Sequence, residues 1–142
     1  MKNSIAYAEY RYKISECEEK LKNLDADYAS LQECKSCLSA CVALLEDLST
    51  QCGDIKKVFD RGTVEGRYDA CKITFDTKET VFEYIENVGN STSKFDSSCG
   101  DLISQLYEYG KVLDDYCKTI ATDAAQTKST LNSLRAQIWK YY

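Results

Sequence analysis

Apolar side chains recur at alternating steps of three and four residues over the first 59 residues of the chain. This averages 3.5 residues, the period that keeps one stripe of an α-helix facing a partner helix along its length. Three polar residues, Lys35, Ser49 and Lys56, interrupt the stripe. The pattern predicts one α-helix over residues 2–59. Its stripe is formed by Tyr7, Tyr10, Ile14, Cys17, Leu21, Leu24, Tyr28, Leu31, Leu38, Val42, Leu45, Cys52 and Phe59.

A second, shorter row flanks this stripe in its later part. Its members, spaced by seven residues, are Cys34, Cys41, Leu48 and Ile55. The row widens the apolar surface of the helix, and a wider stripe packs against more than one neighbour.

The second half of the chain repeats the heptad pattern and predicts a helix over residues 67–141. One row runs by sevens through Cys71, Lys78, Ile85, Thr92, Cys99, Leu106, Leu113, Ile120, Thr127, Leu134 and Tyr141. Its companion row is Val81, Val88, Phe95, Leu102, Tyr109 and Tyr116, and it moves over by one residue to Cys117, Ala124, Leu131 and Ile138. Such a drift is expected of a straight helix with 3.6 residues per turn.

One segment of this second helix, Gly89–Ser93, carries residues typical of a loop. The heptad register continues across it, which favours a continuous helix, but a break into two helices remains the alternative.

Between the two patterns, residues 60–66 predict a turn, because Gly62 and Gly66 follow the last stripe residue. The chain has no proline to interrupt its helices elsewhere. The sequence therefore predicts an all-α fold, a long antiparallel helical hairpin forming one elongated domain over residues 1–142. Each apolar stripe is wider than one partner helix can cover, so we expect the remainder to be buried against another chain.

Composition excludes several classes of function. The chain has no histidine, so a histidine-based triad or an HExxH zinc site is absent. The net charge of −5 argues against nucleic-acid binding. A two-helix rod offers no cleft in which paired carboxylates could act as acid and base. We therefore expect no enzyme activity, no catalytic residue, no cofactor and no metal.

No stretch approaches the roughly 20 apolar residues of a transmembrane helix, and the N-terminus lacks the apolar region of a signal peptide. We expect no membrane insertion and synthesis in the cytoplasm, with any export depending on another kind of signal.

The eight cysteines admit two structural interpretations. A metal or redox site at Cys34, Cys37 and Cys41 is disfavoured, since these thiols span about two helical turns and no histidine can complete a zinc site. Cysteine can act as a small buried hydrophobe in a reducing cytoplasm. Alternatively, a turn near residues 63–64 would allow disulfides across the hairpin in an oxidising exterior. The pairs would be Cys17–Cys117, Cys34–Cys99 and Cys52–Cys71.

A long heptad helix, a tight aromatic-x-x-Gly turn and a second long helix together resemble the small WXG-like hairpin proteins of type VII secretion in Gram-positive bacteria. The residues that carry the resemblance are Val58-Phe59-Asp60-Arg61-Gly62, followed by Gly66-Arg67-Tyr68-Asp69-Ala70-Cys71-Lys72. In length the chain is similar to the YwqH-like group, which is encoded beside LXG toxins. It departs from the family motif, because Phe59 replaces the tryptophan and lies three residues before the glycine.

The family's export signature, a tyrosine followed four residues later by an acid, is missing after the second helix; only Tyr12 and Glu16 match, near the other end. The resemblance thus implies that a partner supplies the export signal.

The resemblance implies a non-enzymatic adaptor or chaperone that binds the helical N-terminal domain of a secreted LXG-type toxin and targets it to type VII secretion. A second small helical-hairpin protein can take part, and co-export with the toxin remains open. The turn motif would be Phe59, Gly62 and Gly66. The alternative is a self-assembling structural coiled coil that forms a homo-oligomeric rod.

The widened stripe predicts the partner surface, with packing between the two helices as the alternative for each residue. The predicted contact residues are Leu38, Cys41, Leu45, Leu48, Leu102, Leu106, Tyr109 and Leu113.

Overall fold

A computed structural model of the protein describes residues 4–60, 62, 64–66 and 75–141, with the side chains of 75–78 left undescribed. It contains two long helices, α1 (Ser4–Val58) and α2 (Phe75–Ile138). No β-strand occurs in the described part of the chain. The predicted fold class, an all-α helical hairpin, is confirmed.

The first helix ends at Val58 and is followed by Phe59 and Asp60, not by a glycine. The amide of Phe59 still donates to the carbonyl of Ile55 at 3.0 Å, and Asp60 is non-helical. A new helical turn then begins, with the amide of Val64 donating to the carbonyl of Asp60 at 3.0 Å. Gly62 and residues 64–66 are helical, whereas the sequence predicts a turn over residues 60–66. Residues 67–74, where the second helix was predicted to begin, lie outside the described residues.

The second helix is continuous through Gly89–Ser93, so the alternative of a break there is wrong. Glycine inside a helix lowers the stability of the helix by about 1 kcal/mol relative to alanine. Packing against the other helix can offset this cost. Here Gly89 and Thr92 are half-buried, and the Thr92 hydroxyl donates to the Val88 carbonyl at 2.8 Å.

The described residues form two compact units, each pairing part of α1 with part of α2. We call Met1–Cys37 with Tyr109–Tyr142 the terminal unit, and Leu38–Glu108 the middle unit. The cores are small, as two-helix packing implies. In the described residues, the buried side chains of the middle unit are Val42, Cys52, Phe82, Ile85 and Cys99, and those of the terminal unit are Cys117, Thr127 and Leu131.

The buried face of α2, which we call its seam, differs from the prediction in one of its two rows. The predicted row through Ile85, Cys99 and Thr127 does lie on the seam. Its companion does not drift, because a single row spaced by seven is buried or half-buried from Phe82 to Ile138. That row is Phe82, Gly89, Asp96, Ile103, Gly110, Cys117, Ala124, Leu131 and Ile138.

The last part of the predicted companion row, Cys117, Ala124, Leu131 and Ile138, lies on the seam. The first part was wrong because two glycines and an aspartate occupy seam positions that apolar periodicity cannot detect. Four members of that first part, Phe95, Leu102, Tyr109 and Tyr116, are exposed instead.

Candidate interaction surface

The seam of the middle unit contains a polar layer centred on Asp96. Ser49 Oγ donates to Asp96 Oδ1 at 2.6 Å, and Lys56 Nζ forms an ion pair with Oδ2 at 2.8 Å. The bond from Lys56, followed by that from Ser49, lowers the pKa of the Asp96 carboxyl. Ser49 and Lys56, two of the three polar residues that interrupt the α1 stripe, thus lie on the face of α1 that packs against α2, and both have a polar partner there.

The third of these polar residues, Lys35, has the same explanation in the terminal unit, where it forms an ion pair with Asp114. The bond from Lys35 lowers the pKa of the Asp114 carboxyl. A further polar contact in this seam runs from Gln32 Nε2 to Cys117 Sγ at 3.6 Å.

Two more polar contacts define one edge of each unit. In the terminal unit Arg135 forms an ion pair with Glu18 at 2.8 Å. In the middle unit the Tyr107 hydroxyl donates to Glu46 Oε1 at 3.5 Å. In both pairs each residue directly follows a seam position, so these residues mark the polar edge of the helix pair.

The register of the hairpin differs from the one that the predicted disulfide pairs require. In each unit, contacting residues such as Gln32 and Cys117 have numbers centred near residue 75, not near 63–64. Cys117 therefore faces Gln32, about 22 Å along α1 from Cys17 at 1.5 Å per residue.

Cys34 and Cys99 are both free thiols, with Cys34 exposed and Cys99 buried beside Cys52. Cys71, the predicted partner of Cys52, lies outside the described residues.

The cysteines divide by environment. All seven in the described part of the chain are free thiols, and Cys52, Cys99 and Cys117 are buried. Burial, with the nearby Cys52 and Asp96, raises the pKa of the Cys99 thiol. The exposed cysteines are Cys34, Cys37 and Cys41.

A second apolar stripe runs along α1 in the middle unit, beside the seam and facing solvent. Its spacing again alternates between three and four, and every member is exposed. Leu44 keeps 66% of its surface accessible, and the most protected leucine, Leu48, keeps 37%. We call this the outer stripe of α1: Cys41, Leu44, Leu48, Gln51, Ile55 and Val58.

The heptad positions of α2 that correspond to the outer stripe of α1 form a second outer stripe in the middle unit. Its exposed aromatic and apolar members include Tyr84 at 73%, Phe95 at 51% and Leu102 at 48%. The full stripe is Val81, Tyr84, Val88, Ser91, Phe95, Ser98 and Leu102.

The two outer stripes lie on the same side of the middle unit. In an antiparallel helix pair, heptad positions that flank the seam in the same way on both helices lie next to each other, on one side of the pair. The Tyr107–Glu46 contact places the polar edge on one side, so the outer stripes share the other. The register then sets Leu48 opposite Leu102 and Ile55 opposite Phe95.

The eight predicted partner residues fall into two groups. Four are half-buried in the seams and pack between the helices: Leu38, Leu45, Leu106 and Leu113. Four are exposed on α1 or α2: Cys41, Leu48, Leu102 and Tyr109. The prediction omitted Leu44, Val58 and Phe95, which a search for a second heptad stripe would have found. Of the turn motif, Phe59, Gly62 and Gly66 are all exposed.

Within the described ranges, no three side chains of the types that ligate metals are grouped to hold an ion. Nor does any helix of the described residues combine the length and the apolar character needed to cross a bilayer.

Comparisons of the chain with protein-family models, with curated proteins and with solved structures found no match.

Proposed function

We propose that this protein is a non-enzymatic helical adaptor, which binds the helical N-terminal domain of a secreted LXG-type toxin and targets it to type VII secretion. The observation that supports this is the pair of outer stripes in the middle unit. Contiguous apolar surface on one side of a small protein commonly marks an interaction site. Because the stripes have the helical heptad spacing, they suit a helical partner.

The adaptor would act by completing a helical bundle. The seam already joins α1 and α2, so the outer stripes remain for helices from the partner. Covering Leu44, Phe95 and Leu102, each about half exposed or more, would remove apolar area from water at roughly 25 cal/mol per Å². A second small hairpin protein could extend the same bundle.

Co-expression with the N-terminal domain of an LXG-type toxin from the same genome tests this function. We expect a soluble complex with equal amounts of the two chains, measured by size-exclusion chromatography with light scattering. The protein alone should give a concentration-dependent species. A stable homo-oligomer that ignores the toxin domain would instead support the self-assembling rod and contradict the adaptor.

A further inference from the structure

The outer stripes of the middle unit are bordered by acidic residues. On each helix, the exposed row next to the outer stripe and away from the seam carries two carboxylates. These are Asp47 and Asp54 on α1, and Asp101 and Glu108 on α2, all exposed. In the described part of these rows Lys94 is the single basic residue.

The whole middle unit is acidic, while the terminal unit is nearly neutral. Residues 38–108 contain 13 acidic and 7 basic side chains, and the rest of the chain contains 10 acidic and 11 basic. The negative net charge of the protein therefore belongs to the unit with the apolar outer stripes.

The acidic residues beside the outer stripes favour one kind of binding partner over another. A second copy docked stripe to stripe would bring carboxylate rows near carboxylate rows, and like charges across an interface are unfavourable. A helix with lysine and arginine beside its apolar stripe would meet complementary charge.

We infer that the outer stripes of the middle unit bind one amphipathic helix of the partner, with apolar residues at heptad spacing bordered by lysine and arginine. The helix lies between the two stripes, over the Leu48–Leu102 and Ile55–Phe95 positions. This inference rests on the proposed adaptor function and specifies the partner segment that the adaptor holds.

Two synthetic helical peptides of about 28 residues, or four heptads, test the inference directly. Both carry the same leucines at seam positions, and their flanking positions are lysine and arginine in one peptide and glutamate in the other. We expect the full-length protein to bind the basic peptide at least about tenfold more tightly, by fluorescence anisotropy. Added salt should narrow this difference. Equal binding of the two peptides would overturn the inference.

Variants locate the binding site. Leu48→Glu places a charge in the apolar outer stripe and should weaken binding of the basic peptide at least about tenfold. The matched control Ala43→Glu adds the same charge at an exposed position of α1 outside the stripe and should preserve that binding. Unchanged peptide binding by Leu48→Glu would overturn the inference.

A second variant covers the case in which Leu48→Glu fails to fold. Asp47→Lys with Asp54→Lys reverses the border charge while keeping the stripe. Asp47 contacts Gln51 at 2.9 Å and Asp54 pairs with Lys57 at 3.1 Å, both at the surface. We expect the peptide preference to shrink or invert, and an unchanged preference would contradict the inference.

The two proposals can fail separately. If the toxin domain binds Leu48→Glu as well as the unchanged protein, the adaptor function stands and the assigned surface is wrong. If the basic peptide binds with the expected preference but the toxin domain does not bind, the surface stands and the toxin partner is wrong. A homodimer lost in Leu48→Glu would assign the surface to a second copy.

Discussion

In the terminal unit, the row that borders the α1 seam consists mainly of polar residues, whereas the same row in the middle unit is apolar. The terminal members are Ala6, Lys13, Lys20, Asp27 and Cys34, and the middle members are Cys41, Leu48 and Ile55. Both units keep a heptad seam and a polar edge. The hairpin can therefore pack without an apolar outer row, and its presence in the middle unit needs a different explanation.

The same contrast occurs on α2, with a gradual change. Tyr109 and Tyr116 continue the exposed aromatic row into the terminal unit, and Asp123, Thr130 and Gln137 follow at the same spacing. The apolar row thus ends where the terminal unit becomes a conventional solvated helix pair. This is the distribution expected if binding, and not folding, maintains the outer stripes.

The largest expected effect separates seam leucines from outer-stripe leucines. Leu131 lies in the seam of the terminal unit at 4% exposure, and Leu44 lies in the outer stripe of the middle unit at 66%. Leu131→Ala should lower the free energy of unfolding by about 2–5 kcal/mol, since it leaves a cavity. Leu44→Ala, the matched control, should change it by less than about 0.5 kcal/mol. Urea unfolding followed by circular dichroism measures both, and similar losses would show that the outer stripe contributes to folding.

The next largest expected effect on stability compares Asp96 in the middle unit with Asp114 in the terminal unit. Asp96 accepts bonds from both Ser49 and Lys56, and its side chain is 28% exposed; Asp114 pairs with Lys35 and is 51% exposed. We expect Asp96→Asn to lower the melting temperature by several degrees and Asp114→Asn to lower it less. Equal shifts would mean that the additional bond and lower exposure of Asp96 have no effect.

The pH dependence follows from the same carboxyls. Because Lys56 and Lys35 hold the pKa values of Asp96 and Asp114 below the ordinary value, both carboxylates stabilise the folded state above the unfolded pKa of about 3.9. This stability is lost as the pH falls through the lowered folded pKa. The difference in melting temperature between Asp96→Asn and the unchanged protein should therefore be full near pH 6 and shrink below about pH 4. A difference independent of pH would contradict a role for the charge.

A smaller effect, on the rate of thiol labelling, should distinguish the exposed cysteines from the buried ones. The exposed thiols Cys34, Cys37 and Cys41 should react with a soluble disulfide reagent in the native protein. Cys52, Cys99 and Cys117 should react only on unfolding, because they are buried, and burial raises the pKa of the Cys99 thiol. Peptide mass spectrometry over time assigns each rate, and fast labelling of Cys99 would show that the middle seam opens. Unfolding in urea is the control that exposes all of them.

Heptad periodicity predicted the two helices and the hairpin, because a 3.5-residue apolar repeat requires a helix with a partner. It could not predict the register, which depends on where the chain reverses. The glycines at 62 and 66 suggested a reversal near 63–64, but glycine permits a turn without requiring one, and the contacts centre near 75. All three disulfide pairs depended on that assumed position.

The candidate surface was predicted in part for a related reason. Apolar periodicity ranks residues by hydrophobicity and cannot tell a seam row from an outer row on the same helix. Asp96 and Gly89 lie in the seam, while Phe95, a more apolar neighbour, is exposed. Asp96 rather than Phe95 lies in the seam because it has polar partners on α1, Ser49 and Lys56. The partner, the export route and the role of the turn residues remain predictions.

The smallest expected effect concerns the polar edges, which the two units share. Glu18 pairs with Arg135 at 2.8 Å in the terminal unit, and Glu46 accepts from Tyr107 at a longer 3.5 Å in the middle unit. Exposed pairs of this kind contribute about 0–1 kcal/mol and are screened by salt. Glu18→Gln should therefore destabilise the protein slightly at low ionic strength and not measurably in about 1 M salt, where the Debye length is about 3 Å. Glu46→Gln, the matched change in the middle unit, should show little salt dependence because its partner is uncharged. If Glu46→Gln were the more salt-sensitive of the two, the acidic field of the middle unit, and not the local contact, would dominate at this edge.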